Sequence, residues 1–161
     1  MVGLPERRWV MAAVLSLCLG LAGATWWLLR EPAPYALRDA PAVNVTVRPV
    51  ESRYPEAEEV AREVELLVKV YVQRLQAGDA SDLARIGAPW YTGKEGAARS
   101  LISRHGMHAD EPVEAVVSDP VAPGLATVEL RFRDGQRQMV DLTQNDDVWW
   151  LALGNGDPVK P

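Results

Sequence analysis

The sequence predicts an α+β protein: an N-terminal transmembrane helix, then about three helices packed on one face of a curved antiparallel sheet. Three observations carry this. Residues 9–29 hold no charge, residues 55–77 repeat apolar side chains at helical spacing, and beyond residue 111 the period changes to two. Four segments follow from them. These are a signal-anchor or transmembrane helix at 1–30, a Pro-rich stalk at 31–54, the folded domain at 55–154 and a flexible tail at 155–161.

Trp9 to Leu29 is an uncharged run that, as a helix, matches a hydrocarbon core about 30 Å thick. Arg7 and Arg8 precede it, and Trp26 and Trp27 stand near its far end, where an interfacial aromatic belt belongs. The arginines favour a cytoplasmic N-terminus and an extracytoplasmic C-terminal domain, a bias weakened by Arg30 and Arg38. A retained single-pass anchor, a signal peptide cleaved near Ala24 after Ala22-Gly23-Ala24, and a lipoprotein box ending at Cys18 all stay open. The retained anchor is favoured because the apolar run continues past the cleavage motif, and Leu17 is bulky for a lipoprotein box. Ala12, Ser16, Gly20 and Ala24 form a stripe of small residues that allows two membrane helices to approach closely, though such residues are common in any membrane helix.

Residues 31–50 contain Pro32, Pro34, Pro41 and Pro49 and lack a helical period. They are expected to form a semi-rigid stalk of at most about 60 Å. Within it, residues 43–47 (VNVTV) are able to pair as an edge strand.

Charge narrows the function classes. Residues 51–161 carry 12 Lys and Arg against 19 Asp and Glu, with no basic stripe, so a nucleic-acid partner is not expected. Cys18 is the only cysteine, which excludes an internal disulfide and a thiolate metal cluster. Arginine outnumbers lysine 14 to 3, the usage of GC-rich bacterial genomes.

The strongest element is a helix over 55–77. Ala57, Val60, Ala61, Val64, Leu67, Val68, Tyr71, Val72 and Leu75 form its apolar stripe, and Glu58/Arg62 and Glu65/Lys69 are i, i+4 pairs on the other face. Pro55 suits its start and Gly78 its C-terminal cap. Asp79 or Ser81 caps a short second helix through residues 82–86 (DLARI). Trp90-Tyr91-Thr92 is a brief β-prone run. Thr92 and Glu95 then form a T-x-x-E capping box that opens a third helix, which Gly106 ends. Strands follow at 111–119, 125–134, 137–143 and 148–153, with a two-residue turn at Asp134-Gly135 and a polar turn at 144–147. Along the second of these, Val128, Leu130 and Phe132 share one face; along the last, Trp149, Leu151 and Leu153 point inward, and Val148, Trp150 and Ala152 outward.

On three stretches the chain resembles the nuclear transport factor 2-like superfamily, which includes the SnoaL-like domains. They are LQAGDASDLARI (75–86), YTGKEGAARSLI (91–102) and the closing WWLALG (149–154), and the resemblance covers about residues 55–153. It implies a cone-shaped domain whose sheet wraps an apolar pocket and which often dimerises through the sheet's outer face. It supplies no single activity, because the superfamily includes isomerases, cyclases, dehydratases, carriers and structural modules. An N-terminal anchor followed by one such domain looks like the accessory proteins of bacterial secretion, conjugation or lipid-import machines. The catalytic aspartate, or aspartate–histidine pair, of the family's enzymes matches no position here.

Few residues suggest chemistry. His105 and His108 stand near Asp110 and Glu111 (RHGMHADEP, 104–112), but two imidazoles and one carboxylate fall short of a zinc site, and no metal or cofactor is expected. His105 and Asp110 are the acid–base candidates, set against the plainer role of a solvated helix C-terminus. Tyr71, Trp90, Tyr91 and Trp149 are candidates to line the cone pocket, or else simply fill the core. Trp150, with Val148 beside it, is the interface candidate. The acidic face at Glu56, Glu58, Glu59, Glu63 and Glu65 is ascribed to solubility. The expected function is a membrane-anchored, extracytoplasmic interaction or assembly domain of a bacterial envelope protein, non-enzymatic, binding a protein partner or a second copy. The alternative is a small-molecule carrier or a SnoaL-like isomerase or cyclase using the cone pocket.

Overall fold

The apolar stripe at 55–77 folds as helix α1 (Glu56–Ala77) in the computed structural model of the chain, which describes residues 34–52 and 54–158. Pro55 precedes the helix, and Gly78 closes it at φ 72°, its N–H donating to the Arg74 carbonyl at 3.2 Å. A left-handed position of this kind strains any side chain with a Cβ. The predicted membrane helix, with Ala12, Ser16, Gly20 and Ala24, lies outside the described residues. Among the described residues, no helix is long and apolar enough to cross a membrane.

Helix α2 (Ala80–Arg85) is capped by Asp79, whose carboxylate accepts from the N–H groups of Ser81 and Asp82 at 3.0 and 3.1 Å. Helix α3 (Lys94–His105) starts differently from expectation. Gly93, at φ 67°, takes the cap position and has no side chain to offer, while Thr92 stands one residue earlier with its hydroxyl donating to the Asn155 carbonyl at 3.2 Å. The predicted capping box is therefore not formed. At the other end, Gly106 sits in right-handed helical geometry and the chain tightens into a 3₁₀ turn (Gly106–His108). The approach to α1 is close there: a Cβ on Gly106 would lie 3.3 Å from the Leu75 carbonyl oxygen.

Five strands form one curled sheet in the order β1 (Val45–Pro49), β2 (Val113–Val117), β3 (Leu125–Phe132), β4 (Arg137–Asn145) and β5 (Val148–Leu151). β2 to β5 are the antiparallel meander read from the sequence. β1 pairs parallel to β2, so the sheet is mixed; the helices form the crossover that parallel neighbours require. Val117, Val128, Leu130, Leu142, Trp149 and Leu151 are buried on the face turned to the helices. The opposite face carries a chain of alternating charges: Arg48–Glu114 at 2.6 Å, Glu114–Arg131 at 3.6 Å, Arg131–Glu129 at 2.6 Å and Glu129–Arg137 at 3.0 Å. Hydrogen bonds from Arg48 and Arg131, respectively, hold the Glu114 and Glu129 carboxyls below the usual carboxylate range.

Turn chemistry differs from expectation as well. Asp146 and Asp147, at φ 51° and 60°, form the two-residue turn, with Asn145 opposite Val148. Positive φ at both central positions marks the type I′ hairpin. Gly135, at φ 89°, is instead the last residue of a three-residue loop: its N–H donates to the Phe132 carbonyl at 3.0 Å, and Phe132 N–H to the Gln136 carbonyl at 2.9 Å.

Two segments predicted to be free are packed onto the domain. The chain joins the folded unit from Pro34, within the expected stalk. Tyr35 is buried, its hydroxyl donating to the Trp149 carbonyl at 2.6 Å, and desolvation pushes its pKa up to about 12. Arg38 and Pro41 bond to Gln73 on α1 before the chain enters β1. This strap explains why α1 is buried on both sides from Val70 to Leu75, Gln73 and Arg74 included. At the other terminus Asn155 bridges to Thr92 by two bonds of 2.9 Å. Trp90 Nε1 donates to the Asp157 carbonyl at 3.0 Å, and the Thr143 hydroxyl donates to the Pro158 carbonyl. The tail is thus docked as far as Pro158.

Candidate functional site

The four aromatics predicted to line one pocket are not brought together. Tyr71, 2% exposed, stands between α1 and the sheet, where its hydroxyl accepts from Gln138 Nε2 on β4 at 2.6 Å. Burial raises its pKa well above the ordinary tyrosine value. Trp90 and Tyr91 meet edge to face at 6.2 Å and hold the tail, since a Cβ on Gly156 would fall 2.6 Å from the Tyr91 ring. Trp149 and Tyr91 each line a surface recess, but not the same one: Trp149 lines a groove beside α1, and Tyr91 a shallow recess between α2 and the start of α3. Trp150 is half-buried rather than exposed: the Tyr35 ring packs edge-on against it at 6.2 Å, covering the surface assigned to an interface, and Val148 beside it is also half-buried.

The histidine stretch has an unexpected geometry. The 3₁₀ turn lets His105 and His108 approach the same ring, Phe132 at the end of β3, each with centroids 5.9 Å apart. In a 3₁₀ helix, residues three apart eclipse, so the two imidazoles share a neighbour despite Gly106. His105 stacks within 10° of parallel, and its Nδ1 is buried without a hydrogen-bond partner. Desolvation, helped by Arg104 and His108, lowers its pKa below the ordinary 6.5. No hydrogen bond or ion pair joins it to Asp110, which is exposed. The carboxylate that meets a histidine is Asp134, 2.5 Å from His108 Nδ1, tying the turn to the β3–β4 hairpin. Among the described residues, no group of three or more His, Cys, Asp or Glu side chains is placed to hold a metal ion.

A mostly apolar recess lies elsewhere. A groove of about 520 Å³ runs between the first two turns of α1 and the loop joining β2 to β3. From α1 and its approach it takes Tyr54, Glu56, Glu59, Val60 and Glu63; from the loop, Asp119 to Leu125; and from β4 and β5, Gln144 and Trp149. Residues three, four and seven apart share a helix face, which is why Glu56, Glu59, Val60 and Glu63 look into it together. Trp149 Nε1 donates to Glu63 Oε2 at 2.9 Å and so fixes that carboxylate over the floor. The loop wall is stiff: it contains Pro120 and Pro123, the Leu125 N–H donates to the Ala122 carbonyl at 3.2 Å, and the Gln144 N–H to the Gly124 carbonyl at 2.8 Å. Val121 at its crest is 88% exposed, and Tyr54 across the groove is 56% exposed.

Sequence reasoning had the acidic face of α1 but not its partner. The missed signal is DPVAPG (119–124), a linker longer than a hairpin needs, with an exposed aliphatic residue between two prolines. The groove lies at the Leu125 end of β3 and the histidines at the Phe132 end, about 23 Å apart at 3.3 Å per strand residue. The carboxylates and imidazoles therefore belong to separate places.

No protein-family model, curated protein or solved structure matches this chain.

Proposed function

We propose that this chain is a membrane-anchored, extracytoplasmic docking domain of a bacterial envelope protein, without enzymatic activity, that binds a polypeptide partner in the groove between α1 and the β2–β3 loop. The groove carries the reading: it is preformed, walled by prolines, and flanked by Val121 and Tyr54, both open to solvent. Space between α1 and the sheet, where a carrier or isomerase of the nuclear transport factor 2-like kind would hold its ligand, is occupied by the Tyr71–Gln138 pair. Membrane attachment and the side of the membrane rest on the uncharged run 9–29 and its flanking arginines. Three helices leading into an antiparallel meander support the superfamily resemblance; β1 and its strap lie ahead of the residues that carry it.

Photo-crosslinking in the native membrane tests the docking role. A photoreactive side chain at Val121 is expected to give a discrete polypeptide adduct that one at Met107, 77% exposed at the histidine end, does not give. The same adduct pattern from both positions, or none from Val121, would refute the groove as the docking site.

A further inference from the structure

We propose that the groove's partner is an extended segment of alternating apolar and basic residues, whose lysines or arginines reach Glu56, Glu59, Glu63 and Asp119 while its apolar side chains cover Tyr54, Val60 and Val121. This rests on the docking role above and adds the chemistry of the ligand. Four carboxylates line the groove and no described Lys or Arg does. Two of them have another purpose: Glu56 and Glu59 lie in the first turn of α1, where acidic residues stabilise the helix dipole. That purpose does not reach Glu63, two turns along, or Asp119, which stands on the opposite wall. Carboxylates on both sides of an apolar floor give the groove negative rims that are complementary to a cationic ligand. The domain elsewhere pairs such groups, with Glu114 and Glu129 each meeting two arginines on the sheet's outer face. Among the described residues, no Lys or Arg side chain forms an ion pair with the four groove carboxylates. Trp149, 4% exposed, closes the groove from below and holds Glu63 by its Nε1–H at 2.9 Å.

The spacing sets the form of the ligand. A strand places alternate side chains on opposite faces at about 3.3 Å per residue. An extended segment along the groove would thus set one row on the floor and the other toward the carboxylate-bearing rims. A groove of about 520 Å³ is within the range of ligand-sized recesses and accommodates a few side chains rather than a folded element.

The test uses the full-length chain in zwitterionic phosphatidylcholine nanodiscs, with empty discs as control, and fluorescein-labelled octapeptides read by anisotropy. One peptide alternates leucine and lysine, a second leucine and glutamine, and a third leucine and glutamate. The lysine peptide is expected to bind at least tenfold tighter than the glutamine peptide, with the glutamate peptide not binding, and its advantage is expected to shrink as salt rises. The double variant Glu59→Gln/Asp119→Asn, isosteric at exposed positions, is expected to remove most of that advantage and leave the glutamine peptide unchanged. Equal binding of the lysine and glutamine peptides, both abolished by Val121→Asp, would overturn the basic-ligand proposal and leave the docking role standing. Binding of the lysine peptide unaffected by Val121→Asp and by the double variant would overturn it outright, because the charge would then be read elsewhere.

Discussion

Gln73 holds the backbone of Arg38 on both sides. Its Oε1 accepts from the Arg38 N–H at 2.8 Å, and its Nε2 donates to the Arg38 carbonyl at 2.8 Å and to the Pro41 carbonyl at 2.7 Å. One side chain in the middle of α1 thus performs for residues 38–41 what a neighbouring strand would, and the strap lies over the helix because of it. Gln73 is 3% exposed in consequence, although its place on the helix is polar by pattern. Gln73→Ala removes all three bonds from backbone groups that water can only partly re-satisfy, and is expected to cost about 1–3 kcal/mol in urea unfolding. Trypsin should cleave after Arg38 much faster in this variant, under conditions where the rest of the fold stays intact. Unchanged cleavage would show that Tyr35 and the Arg38–Asp82 pair hold the strap without Gln73.

Asp82 is the second anchor of the strap. Its side chain is 4% exposed; it contacts Arg74 of α1 and reaches Arg38 at 2.7 Å. Losing one member of a buried pair leaves the other charge uncompensated, so Asp82→Ala is expected to destabilise by about 3–5 kcal/mol. Arg38→Ala, acting on a side chain 51% exposed, should cost no more than about 1 kcal/mol by the same measurement. Replacing both buried charges, as Arg74→Met with Asp82→Leu, should recover most of the loss. A double variant no better than Asp82→Ala would mean that the pair specifies the packing of α1 on α2 beyond mere charge compensation.

What the sequence revealed and what it hid divide along local and non-local lines. The α1 stripe, the Asp79 cap, the Gly78 stop and the inward set Trp149, Leu151 and Leu153 are decided by residues within a few positions of one another, and the structure has them as expected. Gln73, Arg74, Tyr35 and Thr92 are decided by partners 8 to 114 residues away, which no period or cap signal encodes. Thr92 shows this most plainly. Gly93 holds the cap position of α3, so Thr92 stands one residue too early to cap, and its hydroxyl donates to the Asn155 carbonyl of the tail. The groove escaped notice for the same reason, since its two walls are some sixty residues apart and each alone resembles a solvated surface.

Gly154 tests whether the docked tail matters to the fold. At φ 97° it occupies a region that favours glycine, and a Cβ there would collide with the Thr92 carbonyl oxygen. Gly154→Ala is expected to cost about 1–3 kcal/mol, the range for a residue forced into a sparsely populated conformation. Alternatively the tail releases, and that is visible as lost hydrogen-exchange protection at the Thr92 and Asn155 amides. Retention of both stability and protection would show that the bridge tolerates displacement of the backbone.

The His105 imidazole supplies a pH signature. Its folded-state pKa lies below the ordinary 6.5, chiefly because burial against Phe132 disfavours the charged ring, with Arg104 and His108 adding repulsion. The nearest opposite charge on that end, Asp134, is engaged with His108 rather than with His105. A lowered pKa means that the unfolded chain takes up the proton first. The stabilisation is therefore complete above pH 6.5 and is lost as the pH falls through the folded-state value. In His105→Leu this part of the pH dependence should vanish. Imidazole NMR of the full-length chain should place the His105 midpoint below 6.5, and a midpoint at or above it would mean that the ring is solvated and that its stacking on Phe132 does not persist in solution.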